Sequence, residues 1–388
     1  MSRSLSERVG SVHESATMAV EGLARKLRAE GRQVVSLASG DPDFTTPAHI
    51  ADAAHAAMLA GDTHYPPSRG NPRLIDAIVA KLRRENGVSA TSSQVIVTPG
   101  GKWALFLALG AILNPGDEVI VLEPAWVSYR PMIELNGGVA VGVELAPDEY
   151  GITEEALRAA LTPRTKAIIV NSPNNPTGRV LTAGEVSAIA AVARDADCFV
   201  ISDEIYEHIA YDGRVNPPLL ADPRLADRTL LVNGFSKAYA MTGWRLGWLV
   251  APDPVAQLAL RLQSQAMTSA SSIVMAAGIA ALEGPQDCVA EMAAAYDERR
   301  SEVVPRLNAI GLRCPAPEGA FYLFPQVPGG DDVAFARDLL EAEGIAVVPG
   351  SAFGDAGRGH VRMTLAASTT QLRQGLDGIE RFMAARRD

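Results

Sequence analysis

Through the middle of this chain, short β-branched apolar runs alternate with longer stretches whose apolar residues recur at helical spacing. The runs predict strands at Gln94–Thr98, Glu118–Leu122, Val139–Glu144, Lys166–Val170, Phe199–Ser202, Thr229–Asn233 and Leu246–Val250. Amphipathic stretches predict helices over Lys102–Leu113, Thr153–Leu161 and Thr182–Arg194. Thr182 and Glu185 carry the side chains of a capping box, and Asn114-Pro-Gly-Asp117 is a turn that stops one helix and opens the next strand. The alternation predicts an α/β fold, a mostly parallel sheet with helices on both faces.

From about Gly284 the pattern changes. It predicts a helix over Val289–Asn308, a strand-like Gly319–Phe324, a helix over Asp332–Glu343, a short strand, and a last helix after Ser368. This is the order of a smaller α+β domain. Val34–Leu37 reads as a strand outside the central alternation and belongs with it. The expected division is an N-terminal arm and part of the small domain over 1–48, a large domain over 49–284, and a small C-terminal domain over 285–388.

The chain has 388 residues, 47% of them hydrophobic and 21% charged, the balance of a globular protein. Its formal charge of −10 repels a phosphate backbone, and no basic stripe reverses the sign locally, which argues against nucleic-acid binding. Cys198, Cys288 and Cys314 are far apart and form neither metal-ligand spacing nor a disulfide framework. Arg3, Glu7, Arg8 and Glu14 precede no apolar run, which argues against a secretory signal, and no segment reaches the roughly 18 apolar residues of a membrane span. A cytoplasmic protein is expected.

In an open α/β sheet, ligands collect at the C-terminal ends of the strands. Three predicted strands run there into reactive residues: Asp203, the amide Asn175 that precedes Pro-Thr-Gly, and Lys237 at the end of Asn233-Gly-Phe-Ser-Lys237. Singly these are weak, because an aspartate after a strand is commonly a turn or a cap. Thr98-Pro-Gly-Gly-Lys102 sits between strand and helix, where the backbone N–H groups at Gly100 and Gly101 and the helix N-terminus attract an anion. It lacks the spacing of a nucleoside-triphosphate loop. Arg245, eight residues after Lys237, supplies a positive charge suited to a phosphate.

Together Asn175-Pro-Thr-Gly178, Ser202-Asp-Glu-Ile-Tyr206 and Gly234-Phe-Ser-Lys-Ala-Tyr-Ala-Met-Thr-Gly-Trp-Arg245 occur in one order at plausible intervals. In this the chain resembles the class I aminotransferases of pyridoxal 5'-phosphate (PLP) fold type I, the aspartate aminotransferase family. The likeness runs from Ser36-Leu-Ala-Ser-Gly-Asp-Pro-Asp-Phe44 to Gly359-His-Val-Arg362. It implies that Lys237 holds PLP as a Schiff base and then moves a proton, while Asp203 keeps the pyridine nitrogen protonated. It further implies that Tyr206 and Asn175 bond the cofactor's phenolic oxygen, that Trp126 stacks on its ring, and that the backbone at Gly101 and Lys102, with Arg245, holds its phosphate. Arg362, with Gly40 and Asn175, would take the substrate α-carboxylate. Tyr65, in Thr63-His-Tyr-Pro-Pro-Ser-Arg-Gly70, matches a tyrosine that reaches phosphate from a neighbouring subunit, which implies a homodimer.

Two positions depart from the pattern. Many relatives carry Ser three residues before the lysine, where this chain has Gly234. Lys102 stands where other branches have Ser or Thr, and this resembles the bacterial aspartate/prephenate aminotransferase branch. There the lysine binds a distal carboxylate with a hydroxyl that Ser15-Ala-Thr17 could supply, so the expected donors are aspartate and glutamate and the acceptor a 2-oxo acid such as 2-oxoglutarate. Pro124 and Pro176 occupy family positions where cis bonds occur. The competing readings are a PLP lyase or decarboxylase on the same fold and a non-catalytic PLP-binding regulator.

Overall fold

β1 (Val35–Ser36) stands outside the central sheet, as its place in the sequence predicted. The next seven strands are β2 (Val95–Thr98), β3 (Glu118–Glu123), β4 (Val139–Glu144), β5 (Thr165–Asn171), β6 (Phe199–Asp203), β7 (Thr229–Gly234) and β8 (Gly247–Val250). They form one sheet in the order β2-β8-β7-β6-β5-β3-β4. β8 is antiparallel to both neighbours and the other pairs are parallel, so the fold is α/β with a mostly parallel mixed sheet. Each predicted strand forms, with no end moved by more than one residue. The shift matters at β6 and β7, which run on to include Asp203 and Gly234.

Every residue of β2, β3, β7 and β8 is buried, as a sheet covered on both faces requires. The edge strand β4 is largely accessible. Helices Gly101–Ile112 and Ala183–Asp195 form where the periodicity placed them, and the box at Thr182 and Glu185 closes in both directions. The expected helix over Thr153–Leu161 is shorter, Glu154–Ala159, with Thr153 capping it. Helices Ala16–Ala29, Pro72–Asn86 and Ser272–Glu283 were not predicted.

After the helix Asp287–Ala309 come β9 (Tyr322–Leu323), the helix Asp332–Glu343, β10 (Ile345–Ala346), β11 (Val348–Pro349), β12 (Val361–Thr364) and the helix Thr369–Ala385, capped by Ser368. The expected strand over Gly319–Phe324 is cut to two residues, because Ala320 takes a left-handed φ of 54°. β1 pairs parallel with β10, and β11, β12 and β9 form a small antiparallel sheet. Leu37 shares one buried cluster with Tyr296, Leu339 and Met363, so the early segment packs among the C-terminal elements.

This computed structural model describes residues 5–10, 12, 15–146 and 150–386, so Arg3 and Glu14 lie outside it. The bonds before Pro124 and Pro176 are cis, as expected, and so is the one before Pro173. Among the described residues no single helix is long and apolar enough to cross a membrane.

Candidate active site

A cavity of about 320 Å³ opens at the C-terminal ends of β5, β6 and β7. Here the strand order reverses, β6 lying on one side of β5 and β3 on the other, which is where open α/β sheets bind ligands. Asp203, the last residue of β6, is 4% exposed. Its Oδ2 accepts a hydrogen bond from Tyr129 Oη at 2.7 Å and its Oδ1 one from Ile205 N at 3.3 Å. Burial pushes the carboxyl up to about 6 against those two bonds, so a cationic partner would be welcome there.

Lys237 points into the same cavity, where its Nζ donates to Gly40 O at 2.7 Å. The ammonium lies 5.9 Å from the Tyr206 ring centre and 5.8 Å from that of Phe321. Burial pushes its pKa down to about 8; Asp41 opposes this, and Arg245 and Arg362 add to it. At neutral pH roughly a tenth of this amine is therefore uncharged and nucleophilic, far more than of an unperturbed lysine.

Arg362, on β12, closes the other end. Its Nη2 donates to Ala38 O at 2.6 Å and its Nη1 to Asn175 Oδ1 at 3.2 Å, while its buried Nε has no partner. The guanidinium lies 4.4 Å from the Tyr322 ring centre and 5.1 Å from that of Phe353. An oriented fork with an unsatisfied donor in a buried pocket is built for an acidic group. Asn175 is set in turn by Asn171, whose Oδ1 accepts from Asn175 N at 2.8 Å and whose Nδ2 donates to Asp203 O at 2.9 Å.

At the opposite end Gly101 begins a helix and Arg245 faces Gly100. A Cβ at Gly100, whose φ is 88°, would lie 2.6 Å from Arg245 Nη2, so only glycine lets the guanidinium approach this helix N-terminus. Gly234 has a steric reason as well. A Cβ there would lie 2.9 Å from both Gly247 Cα and Leu246 O, so the serine of many relatives does not fit this backbone. Trp126 lines the cavity, edge-on to Tyr129 at 5.4 Å, and Lys102 Nζ lies 4.9 Å from its ring centre. Burial and the nearby Arg245 lower the pKa of Lys102. Thr17 also lines the cavity, and its buried Oγ1 has no partner.

The structure thus brings together Gly40, Gly101, Lys102, Trp126, Asn175, Asp203, Tyr206, Lys237, Arg245, Arg362 and Thr17. Tyr65 is outside this group, with its side chain 88% exposed. Sequence reasoning missed Tyr129, Asn171 and Tyr322. Tyr322 Oη lies 2.9 Å from Tyr206 Oη. Asn171 ends a strand and Tyr129 follows Trp126 by three residues, a faint signal; Tyr322 comes from a distant part of the chain and had none.

These residues fit PLP. A nucleophilic amine, a buried acid for the pyridine nitrogen, and a glycine-lined helix N-terminus with an arginine for phosphate open onto one space. The unpartnered donor of Arg362 remains for a substrate. The comparisons with known proteins agree. The family model for aminotransferase class I and II matches residues 32–379. The chain is 46% identical to the aspartate/prephenate aminotransferase of Thermus thermophilus, over 98% of this chain and 99% of that one. It is 41% identical to the aspartate aminotransferase of Geobacillus stearothermophilus, over 98% and 99%. The structure of the Thermus thermophilus aspartate aminotransferase with maleate superposes with a TM-score of 0.94 at 44% identity, covering 98% of this chain and all of that one. An aromatic aminotransferase from Pyrococcus horikoshii gives 0.90 at 39% identity, covering 93% and 99%. The chain belongs to the class I and II aminotransferases, PLP-dependent enzymes of fold type I.

Proposed function

We propose that this transaminase takes its amino group from aspartate or glutamate and passes it to a 2-oxo acid such as 2-oxoglutarate, in two half-reactions at one site. The observation that carries the reading is the pair of cationic groups at separate places in one cavity, Arg362 and Lys102, matched to a substrate with two carboxylates. Arg362 binds the α-carboxylate through its free edge, with Asn175 bracing the guanidinium. Lys102 takes the distal carboxylate, and Thr17 Oγ1, buried without a partner, adds a donor. That a close relative is named for aspartate and prephenate, and that a similar structure was solved with the dicarboxylate maleate, supports the acidic preference.

PLP, when bound, supplies a ring that takes up the electrons left on the substrate Cα. This chain supplies the rest. Lys237 holds the cofactor and, once displaced, carries the proton to and from Cα. Asp203 holds a proton on the pyridine nitrogen, and Tyr129 keeps the carboxylate aimed. Tyr206 and Asn175 donate to the phenolic oxygen. The backbone at Gly101 and Lys102 and the Arg245 guanidinium would hold the phosphate, and Trp126 would cover the ring. Residues 1–48 and 285–388 act as one small unit against the large 49–284, and the pairing of β1 with β10 supports this division. The protein works in the cytoplasm as a homodimer in which each Tyr65 serves the partner's phosphate site; its exposure on this chain supports that role.

Adding single amino acids to the PLP-loaded protein without oxo acid tests the reading. Aspartate or glutamate should bleach the visible band of the lysine-bound cofactor and leave pyridoxamine phosphate. Bleaching only by aromatic or aliphatic donors would overturn the acidic preference and leave the transamination. Release of ammonia or carbon dioxide without oxo acid would point to a lyase.

Two further results are expected. Lys102→Met should lower kcat/KM for aspartate relative to that for an aliphatic donor by about tenfold to a hundredfold, the loss of one charge-assisted hydrogen bond. The rate at which cofactor-free protein captures PLP should rise with pH through a midpoint near 8, where Lys237 is half deprotonated, and level off above it. An ordinary lysine would place that midpoint at roughly 10.4. Stopped-flow absorbance over that range distinguishes the two.

A further inference from the structure

The acid and the amine of the site hang from two short stretches, Asp203–Tyr206 and Asn233–Lys237, and a buried ion pair outside the cavity joins them. Lys81, on the helix Pro72–Asn86, has a side chain only 1% exposed and pairs with Glu207, whose side chain is 7% exposed. Neither lines the cavity. Glu207 Oε1 also accepts from Asn233 Nδ2 at 2.6 Å, and Oε2 accepts from Asn86 Nδ2 at 2.7 Å. Lys81 Nζ donates to Asn86 Oδ1 at 2.8 Å and lies 3.5 Å from Glu85 Oε2. Asn233 completes the chain, its Oδ1 accepting from Gly234 N at 2.7 Å, three residues before Lys237.

Stability alone does not account for this arrangement. Well-packed apolar residues of the same volume usually serve as well as a buried ion pair, or better. Directional bonds do what an apolar pair does not: they hold three elements in one relative geometry. The Glu207 carboxylate is ionised at neutral pH. Burial works against ionised Glu207, but Lys81 and His208 outweigh it and hold the carboxyl below its usual range. Glu204, three residues earlier, is instead pushed up to about 8 by burial and by Glu207. Lys81 therefore faces two carboxylates, the buried Glu207 and the more accessible Glu85, and of these only Glu207 bonds Asn233.

We propose that Glu207, with Lys81 as its counter-ion, is a positioning residue that ties the Asp203–Tyr206 stretch to the backbone at Gly234 through Asn233. It sets the spacing between the acid that faces the pyridine nitrogen, the Tyr206 phenol and the Lys237 amine. The inference rests on the roles given above to those three residues.

The test compares PLP-loaded wild type with two double variants. Glu207→Gln with Lys81→Met removes both charges, but the new amide oxygen still accepts from Asn233 and a turned Asn86 amide accepts from its NH₂. Glu207→Ala with Lys81→Met removes the link to Asn233 as well. The alanine pair should lose about tenfold to a hundredfold in kcat, as a misplacement on the order of an ångström does. Its KM should stay within about threefold of wild type, because the groups that bind substrate are untouched. The visible band of the lysine-bound cofactor should move and its circular dichroism change. The glutamine pair should keep the wild-type band and a kcat within about threefold.

A folded alanine pair with wild-type kcat and band, assayed well below its Tm, would reduce the cluster to a stability element and overturn the proposal. So would a glutamine pair that falls as far as the alanine pair, since the Asn233 bond would then not be what transmits. If the alanine pair does not fold, Asn233→Ala carries the same test with the ion pair intact: kcat falls and the band moves, or the proposal fails. A wild-type protein with no lysine-dependent visible band would instead sink the reading of Lys237, whatever the variants do.

Discussion

Replacing Lys237 by alanine is expected to lower turnover by about 10⁴-fold or more, the upper range for loss of a positioned acid–base group. Two duties fall on this one amine. It must attack the cofactor, for which burial has pushed its pKa down to about 8, and it must then ferry a proton at the substrate Cα. No neighbour takes over. The only other lysine lining the cavity among the described residues is Lys102, whose Nζ is held over the Trp126 ring. The variant should still bind PLP through Gly101 and Arg245, so a bound cofactor with no lysine-linked visible band and no turnover is the expected pair of results. Turnover within tenfold of wild type would remove Lys237 from the mechanism.

Asp203→Asn should lower kcat by about 10²–10³-fold, the scale for removing one preorganised charge from a buried site. The amide keeps the shape and can still accept from Tyr129, but it cannot hold a proton on the pyridine nitrogen. A second readout separates this from misfolding. The folded-state pKa of Asp203 is raised to about 6, so the cofactor-free protein loses stability as pH rises from the unfolded value towards 6, and the loss is complete above it. Asparagine removes that penalty. At pH 7.5 the cofactor-free variant should therefore melt no lower than cofactor-free wild type, while its loaded form is nearly inactive. A variant that melts much lower would have lost its activity to unfolding, and the charge argument would fail.

The sequence was most legible where the chemistry is local. The seven central strands were visible because β-branched runs such as Val119–Leu122 and Ile168–Val170 have few other uses. Lys237 and Arg245, and likewise Asp203 and Tyr206, were visible because each pair shares a short segment. Contacts made across the fold were not. Tyr322 meets Tyr206 over 116 positions, and Lys81 meets Glu207 over 126. No local spacing announces such a meeting; Lys81 reads in the sequence as one more charged residue on an amphipathic helix. The truncation of the strand near Ala320 had the same cause, a backbone set by its surroundings and not by propensity.

The pairing of β1 with β10 fixes an order of assembly on the ribosome. Val35 finds its partner in Ile345, a residue made some three hundred codons later. Arg362, on β12, reaches back to Ala38 over a similar span. The sheet that carries Asp203 and Lys237 needs only residues up to Val250. The central sheet is therefore fully encoded long before Arg362, whereas Tyr206 and Lys237 still await Tyr322 and Phe321, against which they pack. A nascent chain stalled before the final strands is expected to lack both the Arg362 grip and the Tyr322 partner of Tyr206.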